Sequence, residues 1–112
     1  MITGNDLVRV WREYKKLEVG QPANEVNIGD YRGYLAGVCD VCNRWLFTTS
    51  DGATQGQVCS IVGKWLDEHP QRWNEPAMSL VIEALQKAFP FRPEKRKRMR
   101  LILFWVSRFK TI

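Results

Sequence analysis

Residues 51–90 read DGATQGQVCSIVGKWLDEHPQRWNEPAMSLVIEALQKAFP, and the periodicity of this stretch decides the fold class. Asp51-Gly52 is a turn signal, and Thr54 followed by Gln57 has capping-box spacing, in which each side chain satisfies an unpaired amide at a helix start. From there Val58, Ile61, Val62, Trp65 and Leu66 fall at i, i+3, i+4, i+7 and i+8, which puts bulky apolar groups on one helical face. Pro70 ends that helix at about His69, because proline disfavours α backbone for the residue before it and has no amide to donate. Pro76 suits the first position of a second helix. Its inward stripe is Ala77, Val81, Ala84, Leu85 and Ala88, closed by Phe89-Pro90. Two amphipathic helices joined by residues 69–75 make an αα-hairpin.

Working outward, Leu7, Val10, Trp11, Tyr14 and Leu17 have helical spacing, Thr3 or Asn5 can cap the start, and Asp6 suits the helix dipole. A first helix is predicted over residues 5–18. Gly20, Pro22 and Asn24 then form a loop, with Asn27 as the expected cap of a second helix over residues 28–47. Tyr31, Tyr34, Leu35, Val38, Cys42, Trp45 and Leu46 line one face of that helix, which is expected to be the central and most buried one. Gly33 and Gly37 each cost roughly 1 kcal/mol against alanine in a helix interior, so their spacing predicts close approach by another backbone, from helix 3 or from a second subunit. After Pro90 the pattern changes. Lys95, Arg96, Lys97, Arg98 and Arg100 are followed by an uninterrupted apolar run over 101–106. A fifth helix, apolar nearly all round and therefore buried on several sides or in an interface, is the first expectation there; a short strand is the alternative.

The 112 residues suffice for one domain with its own core, and the five tryptophans suit that reading. No apolar run is long enough to span a membrane as a helix. The start of the chain lacks a secretory pattern, so the expectation is a cytoplasmic protein as sequenced, or a periplasmic one if a signal peptide has been removed. The net charge of +5 is unevenly placed. Residues 93–112 carry 7 Lys and Arg against 1 acid, or +6, which leaves 10 minus 11, or −1, for residues 1–92. An argument for nucleic acid or an anionic surface therefore rests on the basic segment, whose cations sit beside Phe104, Trp105 and Phe109.

The residues that could carry chemistry form no site. Cys39-x-x-Cys42 lacks a second such pair, and His69 is the sole imidazole, so a zinc site is short of ligands. A redox pair belongs at a helix N-terminus, whereas this one falls inside helix 2, where small buried thiols are the simpler reading. With Cys59 the thiols are odd in number and imply no disulfide framework. Asp40, Asp67, Glu68 and Glu83 are scattered over different helices and faces. No catalytic residue, metal site or cofactor is expected.

The run Gly52-Ala53-Thr54-Gln55-Gly56-Gln57, then Trp65-Leu66, Glu68-His69-Pro70, Ala77, Leu80-Val81, Ala84-Leu85 and Phe89-Pro90, resembles the type VI secretion immunity proteins of the Rap/Tai class. So does Gly33-Tyr34-Leu35-Ala36-Gly37 with Asp40. The resemblance covers roughly residues 3–90. It implies a small all-helical bacterial protein, often dimeric, that blocks a peptidoglycan-cleaving amidase effector. Family cysteines are replaced here, since the corresponding neighbourhoods hold Arg12, Tyr31, Thr48 and Phe91; their absence favours a reducing compartment.

The expected architecture is thus all-α, with about five helices built on a central αα-hairpin. Residues 1–92 form the immunity-like part, and residues 93–112 pack on it or in an interface. The expected function is non-enzymatic inhibition by protein binding. The alternative is a cytosolic adaptor that holds nucleic acid or a membrane surface through the basic segment. The partner-binding candidates are His69, Gln71, Arg72, Trp73, Asn74 and Glu75, a short segment pinned by Pro70 and Pro76; tryptophan and arginine dominate binding hot spots. In the resembling family some members insert an interhelical loop into the effector's groove, which points to the same segment. Two placements of Trp73 follow from the sequence: outward into a partner, or folded back over the hairpin with Arg72 facing solvent. Gly33, Gly37, Leu101, Phe104 and Trp105 are the candidate homodimer contacts.

Overall fold

The computed structural model describes residues 2–49 and 52–92. The expected fifth helix, with Leu101, Phe104 and Trp105, lies outside the described residues. Among the described residues the chain is all-helical, with α1 (Gly4–Glu18), α2 (Glu25–Cys42), α3 (Gln55–Glu68) and α4 (Ala77–Ala88), and a 3-10 turn (Pro70–Arg72) between the last two. Every helix touches the other three.

The helix starts follow local chemistry. At α3 the expected capping box is present, with the Gln57 amide donating to Thr54 Oγ1 at 3.2 Å and the Thr54 amide to Gln57 Oε1 at 2.9 Å. At α1 the Thr3 amide donates to Asp6 Oδ2 at 3.0 Å. Helix α2 begins earlier than predicted, because Asn24 rather than Asn27 is the cap; Asn24 Oδ1 accepts from the Asn27 amide at 3.1 Å. The Asn24 amide is itself held by Glu13 Oε2 at 3.0 Å, which fixes the entry to α2 against α1.

Helix α2 also stops at Cys42 rather than near 47. Arg44 adopts φ 72°, and its amide donates to the Phe47 carbonyl at 2.7 Å, closing a turn that folds Phe47 into the core with no exposed surface. Trp45 and Leu46 are thereby expelled from the expected apolar stripe and stand 73% and 42% exposed. At the helix ends the stripes likewise lose Leu17 and Ala88 to solvent, whereas Val8 and Leu80, outside the predicted stripes, are buried.

The core is centred on Trp11. Its ring lies 5.9 Å from that of Tyr14 and 5.5 Å from that of Tyr31, and the two tyrosines are 5.3 Å apart. The indole Nε1 donates to Asp67 Oδ1 at 3.2 Å, Lys15 Nζ donates to the same carboxylate at 2.8 Å, and the Tyr31 hydroxyl donates to the Cys59 carbonyl at 2.6 Å. Helix α3 can come this close because residue 63 has no side chain: a Cβ there would lie 2.3 Å from the Trp11 ring. Within the described chain, α3 closes up at its own Gly63 rather than at Gly33 or Gly37 of α2. Gly33 and Gly37 have nothing within 4 Å of where a Cβ would stand. No backbone of the described chain approaches them.

A Gly63→Ala variant must push the indole or separate the helices, and overpacking of this kind costs about 1–3 kcal/mol. At Gly56, in the first turn of α3, a Cβ meets only ordinary contacts at 3.8 Å. Gly56→Ala is expected to raise stability by about 0.4–1 kcal/mol through the unfolded chain. Urea unfolding of both variants should give midpoint shifts of opposite sign.

Candidate functional site

The segment between α3 and α4 is assembled by backbone bonds of its own and by bonds to the start of α1. The His69 amide donates to the Leu66 carbonyl at 3.1 Å, ending α3, and the Arg72 amide returns to the His69 carbonyl at 3.1 Å to form the 3-10 turn. The first amides of any α-helix lack intrahelical partners. In α1 two of them are satisfied by this turn, Gly4 donating to the Glu75 carbonyl at 2.9 Å and Asn5 to the Trp73 carbonyl at 2.8 Å. In return the Ala77 amide, first in α4, donates to the Ile2 carbonyl at 2.9 Å. Gly4 is obligatory for this contact, since a Cβ there would lie 2.8 Å from both Cα and O of Trp73.

The six candidate side chains are brought together on this one turn and divide by role. Trp73 is folded back, half-buried, with Nε1 donating to the Leu66 carbonyl at 2.8 Å and the Arg12 guanidinium 5.8 Å from its ring. Arg72 does not simply face solvent. It donates to both oxygens of Glu75 at 2.7 and 3.0 Å and to both oxygens of Glu83 on α4 at 2.6 Å, and lies 5.4 Å from the Trp65 ring centre. His69 stacks on Trp65 with ring centres 4.1 Å apart, and its Nδ1 lies 2.7 Å from the Trp65 carbonyl. A carbonyl can only accept, so Nδ1 carries the proton. Gln71 and Asn74, with Pro70 and Pro76, are the exposed members of the turn.

An exposed aromatic that the pattern reading placed indoors lies elsewhere. Trp45 stands exposed in the turn after α2, next to the exposed Leu46. The useful signal was Asn43-Arg44, since asparagine and its neighbours favour turn and left-handed backbone, but it sits inside an apolar pattern that reads as continuous helix. Cys39 and Cys42 do lie within α2, and all three cysteines are free thiols. Burial pushes the Cys59 thiol up to about 11 and raises that of Cys39, so neither is a ready nucleophile near neutral pH.

The two carboxyls clamped by Arg72 are held below their usual range, chiefly by its hydrogen bonds. A carboxylate with a lowered folded pKa contributes stability that is fully present above the ordinary value near 4.5 and is lost as pH falls through the lowered one. The stability difference between the wild type and Arg72→Leu should therefore be constant from pH 6 to about pH 5 and shrink below about pH 4.5. Urea midpoints measured from pH 3 to 6 would reveal this; a difference independent of pH would show that the clamp does not act through charge.

Comparison with known proteins places this geometry. Residues 3–91 match the family model described as Rap1a immunity proteins, and no curated protein matches the chain significantly. The match takes in all four helices and the turn between α3 and α4. The chain belongs to the Rap1a immunity protein family.

Proposed function

We propose that this protein neutralises a secreted effector by binding it, and that the effector is a peptidoglycan amidase delivered by type VI secretion. Membership of the immunity family supports the first part, and the residue resemblance to the amidase-blocking class supports the second. Inhibition then requires a presented surface rather than a reactive group. The observation that carries the reading is the construction of the turn between α3 and α4. Arg72 ties it to Glu83 of α4, Trp73 ties it to the end of α3, and the Gly4 and Asn5 amides tie it to α1.

A loop already held in one shape loses little conformational freedom on binding, so its contacts translate into affinity. In this reading Arg72 and Trp73 position the turn, and Gln71 and Asn74 enter the effector's cleft and exclude water and substrate. The mechanism is steric occlusion, and the immunity protein performs no bond-breaking step.

A Gln71→Ala, Asn74→Ala double variant should keep its melting temperature and lose about 2 kcal/mol of effector affinity, roughly 30-fold in Kd. Calorimetric titration against purified type VI cell-wall amidases, with release of cleaved peptidoglycan as the activity readout, tests both parts. Unchanged affinity in the variant would move the contact away from the turn. Full amidase activity at saturating immunity protein would exclude the amidase reading.

A further inference from the structure

Helix α2 has two opposite sides, and only one of them is used by the bundle. The buried side carries Ile28, Tyr31, Leu35, Val38 and Cys42. The other carries Val26, 71% exposed, and Val41, 68% exposed, with Gly29, Gly33 and Gly37 between them and open space above each glycine. At 3.6 residues per turn these five positions fall within an arc of roughly 120° and a length of about 22 Å. The exposed Trp45 and Leu46 follow in the turn just past the end of the helix. Asp30 and Asp40 also lie on this arc; both are exposed, and neither forms a hydrogen bond or ion pair among the described residues.

The path of the chain leads to the same place. The Thr48 amide donates to the Phe89 carbonyl at 3.3 Å, the Arg92 amide donates to Thr48 Oγ1 at 2.9 Å, and Gln86 Nε2 donates to the Leu46 carbonyl at 3.1 Å. The described chain therefore ends beside the turn that carries Trp45. From there 20 residues follow, numbered 93–112. At the shortest regular rise, 1.5 Å per residue, they span about 30 Å, more than the length of the open face. Their composition complements it: cations at Lys95, Arg96, Lys97, Arg98 and Arg100, then the bulky apolar run 101–106.

We propose that the outer face of α2 is the docking surface for residues 93–112 of the same chain. Residues 95–100 pass Asp40 at the near end of the face. The apolar run follows over the floor between Val41 and Val26, where glycines leave room for large side chains. Opposite charges, +6 on the segment against −1 on the remainder, favour the approach, and burial of the valines and of the apolar run supplies the main driving force.

Nuclear Overhauser spectra of the full chain, with labelled Val methyl groups and Phe and Trp rings, test this directly. Contacts from Phe104 or Trp105 to at least one of Val26 and Val41 are expected within one chain and should persist on dilution. In a mixture of differently labelled chains, contacts seen only between chains would assign the face to a second copy and overturn the proposal; absence of contacts would overturn it as well. A second measurement uses limited trypsin digestion of the full chain carrying Val41→Ser and Trp45→Ser, both surface changes. Release of the docked segment should speed cleavage after residues 95–100 by about tenfold, because such cleavage follows the population of the open form. Equal rates in variant and wild type would count against docking on this face.

Discussion

The ring of Trp11 occupies the space that any side chain at residue 63 would need. That single absence lets α1 and α3 approach closely enough for one indole to be almost wholly buried, for its N–H to reach Asp67, and for Tyr31 to reach a carbonyl of α3. Burial of large aromatic groups in a small domain supplies a large share of the favourable free energy. No buried polar side-chain atom among the described residues is left without a partner, so the aromatic centre carries no uncompensated desolvation cost. The remaining helices arrange themselves round this pair, α2 through Tyr31 and α4 through its stripe of Ala77, Leu80, Val81, Ala84 and Leu85.

The same logic of close approach recurs at the other end of α1. Gly4 allows the helix start to sit directly on the turn between α3 and α4, and the helix amides and the turn carbonyls satisfy one another. The turn is consequently ordered from three directions. The Arg72 guanidinium, spanning two carboxylates in paired bonds, uses the geometry in which arginine outperforms lysine.

The sequence reveals most where the information is local. The Thr54 and Gln57 box, the stop at Pro70 and the stripes of α1, α3 and α4 depend on neighbours three or four residues away, and the structure bears them out except that Leu17 and Ala88 are exposed, Ile61 is half-buried, and Val8 and Leu80 join the core. The features that the sequence hides depend on distant partners. Gly33 and Gly63 look alike in a sequence, yet only the second faces an indole, and nothing near residue 63 announces Trp11. The end of α2 departs from the sequence pattern because Cys42, Trp45 and Leu46 continue a helical periodicity, whereas the turn at Arg44 that buries Phe47 breaks it. At the candidate site the segment could be picked out from its two prolines, its tryptophan and its arginine. The inward turn of Trp73 could not, because its partner carbonyl at Leu66 becomes available only at a helix end.

The bonds between Gly4, Asn5 and the turn join residues about seventy positions apart in the chain. Closing so long a loop is entropically costly and slow compared with forming a helix. During synthesis the turn cannot take its final shape until α4 has emerged to be gathered in with the waiting N-terminus. The turn between α3 and α4 is then among the last parts of the molecule to form, and a truncated chain would present helices without it.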